Sequence, residues 1–493
     1  MPLNILNKNN GILQNWSLLT SASFIQTGLN FLSLVRIVRI LSPVDYGRYI
    51  FLITVVTIAQ VMVSLGLRNI SIREIARNPH ALPFIAHQTS KIILLATVFI
   101  GALLVIFLQA HEEIRSSILL LEILFFLIAQ ASWDFAETLA FSLSQMRVSA
   151  LLSISSALVW LVVVWCLPAP WMILEVVFGA FVTVQVLRSC LYVVWEWRAK
   201  YFLLTELSRN YYVRSRELLR QSLPILGTNL LSLPVSQLPL MFLASYSGMN
   251  QVAYFGIGNK LTQPIQIVLV SIFPAILPML SVASSTDPEL LKKQIEKIFM
   301  ILAFMGITIA TLVSLLGSEI VLLLFGDNYS PAIPPLSFQL WIAIQSVLFG
   351  LIGLIFIVMN QERTMIRLSL VNASLIGCSA YVGSHYGALG LSLALLVSGA
   401  LGFIIHWYYM GKIVSGTVSL NKQLRVFLSY GILCVVSCLS MTYSIEYRMS
   451  ILLVACMVLS ILFKQEIFQI ITLIRNAKNN FFHTMETELN EKG

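Results

Sequence analysis

The chain has 493 residues, 58% of them hydrophobic and 11% charged, with 31 Lys and Arg against 22 Asp and Glu for a formal net charge of +9. A soluble globular chain carries about 25% charged residues, and a disordered one combines high charge with low hydrophobicity, so both classes are excluded. A nucleic-acid binder is excluded too, because positive charge dispersed among long apolar runs marks loops at a bilayer surface before it marks a phosphate-binding face.

A helix crosses about 30 Å of hydrocarbon with about 20 mainly apolar residues. Fourteen stretches qualify: residues 16–41, 48–67, 91–109, 117–140, 149–167, 172–194, 223–245, 252–279, 298–325, 332–358, 367–385, 388–410, 426–444 and 449–463. The last is the shortest. All are apolar on every side and lack the ten-residue alternation of a barrel, which predicts an all-α integral membrane protein of about 14 transmembrane helices. With the N-terminus inside, 25 of the 31 basic residues fall in inside segments, five fall outside, and Lys260 lies within a span. That bias predicts N-in and C-in ends.

In chain order, residues 1–15 form a cytoplasmic N-terminus and 16–194 a six-helix lobe. The first run is too long for a cleaved signal and is expected to remain as a span. It carries Asn30 and, in its outer third, Arg36 and Arg39, which lie one turn apart on roughly one face with no acid before Asp45. The two arginines either line a cavity or snorkel to the surface, and Arg39 has the further option of pairing with Asp45. The fourth run holds Asp134 and Glu137 at i, i+3. Such acids serve either a proton or cation relay or a structural pairing with Arg147 or another inner-side base.

Residues 195–222 form a basic, Arg-rich inside connector, followed by a second six-helix lobe at 223–410. The tetrapeptides Asn30-Phe-Leu-Ser33 and Asn229-Leu-Leu-Ser232 hint at a parallel repeat of the two lobes around a central cavity. Pro224, Pro234, Pro239, Pro264, Pro274 and Pro278 concentrate in the seventh and eighth spans, which suits helices that bend, although prolines are also common in membrane helices. Lys260 sits about 12 Å inside the outer end of the eighth span, and neither that span nor the seventh contains an acid to neutralise it. The amphipathic stretches at 287–297 and 464–478 are expected to lie flat on the inner leaflet. Residues 411–463 add two helices beyond the lobes, and 464–493 form a cytoplasmic tail. The six cysteines and six histidines show no metal-ligand spacing, and no Gly-rich phosphate loop or cofactor motif is present.

Four short motifs stand in order against these spans: Arg39-Ile-Leu-Ser-Pro-Val-Asp-Tyr-Gly-Arg-Tyr49, Val252-Ala-Tyr-Phe-Gly-Ile-Gly-Asn-Lys-Leu261, Leu324-Phe-Gly-Asp-Asn-Tyr-Ser-Pro-Ala332 and Tyr386-Gly-Ala-Leu-Gly390. With them the chain resembles, over about residues 12–465, the Wzx-type oligosaccharide-lipid flippases of the multidrug/oligosaccharidyl-lipid/polysaccharide exporter superfamily. The resemblance implies a non-enzymatic, two-lobed transporter of the bacterial cytoplasmic membrane. It would move polyprenyl-pyrophosphate-linked oligosaccharide repeat units from the inner to the outer leaflet for O-antigen, capsule or exopolysaccharide assembly. A polysaccharide polymerase and a chain-length regulator are the implied partners, besides membrane lipids. Under that reading Lys260, Arg36 and Arg39 attract the anionic head, Asn30, Asn229, Gln237 and Gln263 bond its sugars, and Asp134 and Glu137 are candidates for ion coupling. The alternatives are a multidrug antiporter of the same superfamily, disfavoured by the lack of acids in the first, seventh and eighth spans, and a membrane polymerase or ligase, disfavoured by short outer loops.

Overall fold

The computed structural model describes residues 10–78, 81–109, 116–198, 215–414, 420–440, 443–468 and 472. The regular structure there is helical throughout. The first helices are α1 (Asn10–Ile40), α2 (Pro43–Ser64), α3 (Leu67–Arg77), α4 (Leu82–Gln109), α5 (Ser117–Ser142), α6 (Met146–Cys166) and α7 (Leu174–Arg198). There follow α8 (Ser215–Ser236), α9 (Leu238–Ser247), α10 (Met249–Val270), α11 (Phe273–Thr286), α12 (Pro288–Leu315) and α13 (Gly317–Phe325). The chain ends with α14 (Ile333–Val358), α15 (Glu362–Ser384), α16 (Gly387–Ile413), α17 (Leu420–Leu439) and α18 (Ile445–Leu462). Most of the basic connector and of the C-terminal tail lies outside the described residues.

Among the described residues twelve helices are long and apolar enough to cross a bilayer, and α8 with α9, bent by 43°, make a thirteenth candidate. The core is apolar, but so is the outer surface, unlike that of a soluble protein. Leu95, Trp197 and Leu453 are at least 70% exposed, whereas Ser33 and Ser337 are fully buried. Apolar side chains facing outward and hydroxyls facing inward fit a hydrocarbon surround, where helices associate through packing and hydrogen bonds. This is a multi-pass membrane protein.

Several boundaries depart from the sequence reading, including the break of the seventh stretch at Gln237 into α8 and α9. The eighth stretch breaks at Ser271 and Ile272 into α10 and α11, and the ninth breaks at Leu316 into α12 and α13. The stretch at 287–297 is no separate surface helix. Asp287 accepts the Glu289 N–H at 2.9 Å and Pro288 occupies the first turn, which starts α12, and Leu291 and Ile295 are buried as that helix runs on.

The chain forms two compact units, the first comprising Met1–Lys260, Leu323–Tyr329 and Ala373–Leu391, the second Leu261–Leu322, Ser330–Asn372 and Ser392–Gly493. In the first, α1 packs on α6, α5 on α7, and α2 against α4, α5, α8 and α9. Edge-to-face rings join these helices: Phe181 lies 5.3 Å from both Phe126 and Trp160, and 6.1 Å from Tyr49. In the second unit α12 packs against α14, α17 and α18. There the Trp341 indole donates to Ser437 Oγ at 3.2 Å, and Arg448 at the start of α18 pairs with Glu319 of α13 at 2.6 Å.

The contacts that join the four motifs and the residues beside them fall within the first unit. Gly47 of α2 packs so closely on the start of α10 that a Cβ there would stand 1.9 Å from the Met249 carbonyl oxygen. A Cβ on Gly256 would strike Ile50 at 2.2 Å. Tyr329 donates to the Leu41 carbonyl at 3.1 Å and presents its ring to Tyr46 and Tyr254. Ser247 accepts the Gly387 N–H at 3.2 Å, and Gln251 accepts the Ala388 N–H at 2.9 Å. Small residues, rings and amides therefore stand where close backbone approach and inter-segment bonds require them.

Candidate functional site

A cavity of about 310 Å³ opens in the first unit between α2, α3, α5 and α8, within the size range of small-ligand sites. Its polar wall consists of Gln60 and Ser64 of α2, Arg68 and Asn69 of α3, Gln130, Trp133 and Asp134 of α5, and Asn229 of α8. The chain reaches it through a tight turn. Leu65 and Gly66 adopt left-handed conformations with φ of 46° and 71°, ending α2 and redirecting the backbone into α3. Gly66 is required there, since a Cβ would stand 2.7 Å from the Ser222 carbonyl oxygen.

That turn delivers Arg68 to two carboxylates. One guanidinium nitrogen bonds Asp134 Oδ1 at 2.7 Å and another bonds Glu137 Oε2 at 2.9 Å. The i, i+3 spacing on α5 places both acids on the face toward α3. Ser149 donates to Glu137, Gln60 reaches Asp134 at 3.5 Å, and the Phe141 ring lies 5.3 Å beneath the guanidinium. Behind this wall Arg188 stacks 4.0 Å over Trp133 and donates to Ser153 at 2.9 Å. Three buried polar atoms on the wall have no partner among the described residues: Gln60 Oε1, Gln130 Oε1 and Trp133 Nε1. Buried polar atoms are rarely left so, which marks them as positions for ligand or water.

Of the residues singled out from sequence, Asp134 and Asn229 line this cavity and Glu137 shares the arginine of its wall. The base that pairs with the acids is Arg68, not Arg147. Arg36 is half-buried against α6, 5.6 Å from the Trp165 ring. Arg39 turns the other way: its Nε donates to the Leu324 carbonyl at 2.9 Å and its Nη2 to that of Leu323, closing the last turn of α13. Its expected partner Asp45 instead meets Arg48 at 3.5 Å. Lys260 is exposed on α10 with no partner among the described residues. Asn30 and Gln263 are exposed, and Gln237 occupies the joint between α8 and α9. None of these last six lines the cavity.

Arg68, Gln60, Asn69, Gln130 and Trp133 escaped the sequence reading. Arg68 was indistinguishable from the charges that retain an inside loop. Gln60 and Gln130 did carry a signal, as amides within apolar runs that need a partner wherever they are buried.

The helical arrangement is that of membrane transporters. A solved structure described as the lipid II flippase MurJ in an inward closed conformation matches with a TM-score of 0.68 and 13% identity, over 91% of this chain and 99% of that one. A multidrug resistance MATE family transporter of the MOP superfamily, in an inward-facing conformation, matches with a TM-score of 0.54 and 17% identity, over 79% and 95%. The Vibrio cholerae MATE transporter VcmN in its bent form gives 0.52 and 15%, over 83% and 98%. At these identities the likeness is one of fold. No curated protein sequence matches the chain. Residues 12–284 match the family described as polysaccharide biosynthesis protein, and the chain belongs to that family.

Proposed function

We propose that the protein is a flippase that carries polyprenyl-pyrophosphate-linked oligosaccharide repeat units from the inner to the outer leaflet of a bacterial cytoplasmic membrane. It is a transporter rather than an enzyme, supplying surface polysaccharide assembly as O-antigen, capsule or exopolysaccharide. The observation that carries this reading is the amide-rich cavity with its three unpartnered polar atoms, in a chain of the polysaccharide biosynthesis family. Sugar hydroxyls both donate and accept, so they can satisfy Gln60, Gln130 and Asn229, while Trp133 offers its N–H.

The arrangement under this proposal is N-in and C-in, with two six-helix lobes at 16–194 and 223–410, two added helices, and alternating access between the lobes. Lys260 and Arg36 hold the pyrophosphate, and Asn30, Gln237 and Gln263 contact sugars further along the path. Arg39, engaged with α13, acts on the head only if it leaves those carbonyls. A polymerase and a chain-length regulator would receive the product. The test is reconstitution in liposomes with a labelled polyprenyl-pyrophosphate oligosaccharide, following access of the head to the opposite face. Lys260→Ala and Arg36→Ala are expected to slow its movement with folded protein retained; parental rates in both would remove the cationic path.

One observation favours the antiporter reading. In the Arg68 cluster two carboxylates face one guanidinium, so the cavity wall suits a cation as readily as an anion. The same liposomes decide: drug efflux with no movement of the lipid head would establish the antiporter.

A further inference from the structure

α5 presents a second face. Opposite the polar cavity, α4 and α5 bound a groove of about 640 Å³. Its α4 side is a stripe at helical spacing that includes His87, Ser90, Lys91, Leu94, Val98 and Gly101. The groove is apolar along most of its length, and Leu94, Val98 and Ile128 are 65%, 66% and 54% exposed. At Gly101 the helices are close, a Cβ there meeting Leu124 at 3.4 Å and Leu127 at 3.8 Å, and the lining continues past it to Ala102 and Val105. From Lys91 to Val105 is about 21 Å of helix. The groove is therefore long enough for one extended acyl chain.

Its polar end is cationic. Lys91 is exposed and has no ion-pair or hydrogen-bond partner among the described residues, His87 is exposed beside it, and Ser132 of α5 adds a hydroxyl. Unpaired Lys and imidazole N–H groups at one end of this apolar groove complement an amphiphile with an anionic phosphate head. The tail of a substrate whose head lies in the polar cavity does not fit this groove, because Leu67, Ile70, Ile93 and Ile225 pack in one apolar cluster between the two spaces.

We infer that the α4–α5 groove is a binding site for an anionic phospholipid, with one acyl chain along the groove and the phosphate at Lys91 and His87. The site is separate from the transport cavity, and the inference stands whether or not the transported molecule is a lipid-linked sugar.

The test uses the purified full-length protein in neutral detergent, titrated with phosphatidylglycerol and with phosphatidylcholine of the same chains, retained lipid being counted by native mass spectrometry. The parent is expected to hold phosphatidylglycerol about fivefold more tightly, the worth of one lysine at an anionic lipid. Lys91→Gln should bring the two lipids level, whereas Lys293→Gln, an exposed lysine on α12, should leave the preference intact. Ala102→Trp, which fills the groove from an exposed position on α4, should release both lipids without loss of helicity. Equal retention by the parent, an undiminished preference in Lys91→Gln, or a preference that survives Ala102→Trp would each overturn the site. So would displacement of phosphatidylglycerol by a polyprenyl phosphate that Ala102→Trp no longer binds, which would give the groove to the transported lipid.

Discussion

Arg68 neutralises Asp134 and Glu137 from outside the helix that carries them, so its loss leaves two acids facing each other one turn apart. Arg68→Ala is expected to cost about 2 kcal/mol, less than a fully buried pair because the side chain is 37% exposed. Thermal denaturation in detergent should show the loss, and the further substitutions Asp134→Asn and Glu137→Gln should recover most of it. Arg39 makes the opposite case. Its guanidinium satisfies two terminal carbonyls of α13, and each charge-assisted bond is worth about 1.5–3 kcal/mol. Arg39→Ala should therefore lower the melting temperature, whereas Arg36→Ala, which gives up only a ring contact, should leave it nearly unchanged. The sequence could place both arginines one turn apart near the end of the first span. It could not tell them apart, because the difference lies in a carbonyl pair some 285 residues away.

At the scale of elements, α8 and α9 turn by 43° at Gln237, where Pro234 withdraws a backbone donor inside α8 and Pro239 occupies the first turn of α9. Replacing both prolines by alanine lets one helix run through the joint and stiffens it. Unchanged helicity by circular dichroism and slower head movement in liposomes are expected; an unchanged rate would make the bend a static feature. α18 hangs on a polar anchor. Arg448 is 8% exposed and meets the Leu315 carbonyl at 3.1 Å as well as Glu319, so Arg448→Met should destabilise by about 3 kcal/mol on thermal denaturation. Apolar length made most of the spans legible in advance, including the short α18. Helix breaks inside continuous apolar runs were less legible: Pro274 just past Ser271-Ile272 and Gly317 just past Leu316 are break signals, yet both residue types are also tolerated inside membrane helices. The Asp287-Pro288 start of α12 has the form of a helix cap, a signal that the surface-helix reading of 287–297 did not use.

For the whole molecule, the apolar outer surface, with bare leucines facing outward, was already implied by 58% hydrophobic and 11% charged residues. The class of fold followed from that and from the count of apolar runs. The polar cavity did not, because its wall is assembled from four helices and depends on a left-handed turn at Leu65 and Gly66 that periodicity does not encode. The meeting of the four motifs bears on how such a chain can vary. Gly47 against Met249, Gly256 against Ile50, Tyr329 on Leu41 and Gln251 on Ala388 tie together stretches hundreds of residues apart. Recombination between family members should accordingly succeed when these stretches are inherited as a set from one parent. Hybrids that mix them should express poorly even when every crossover falls in a loop, so the chain tolerates the exchange of these joined stretches as a whole far better than of single helices.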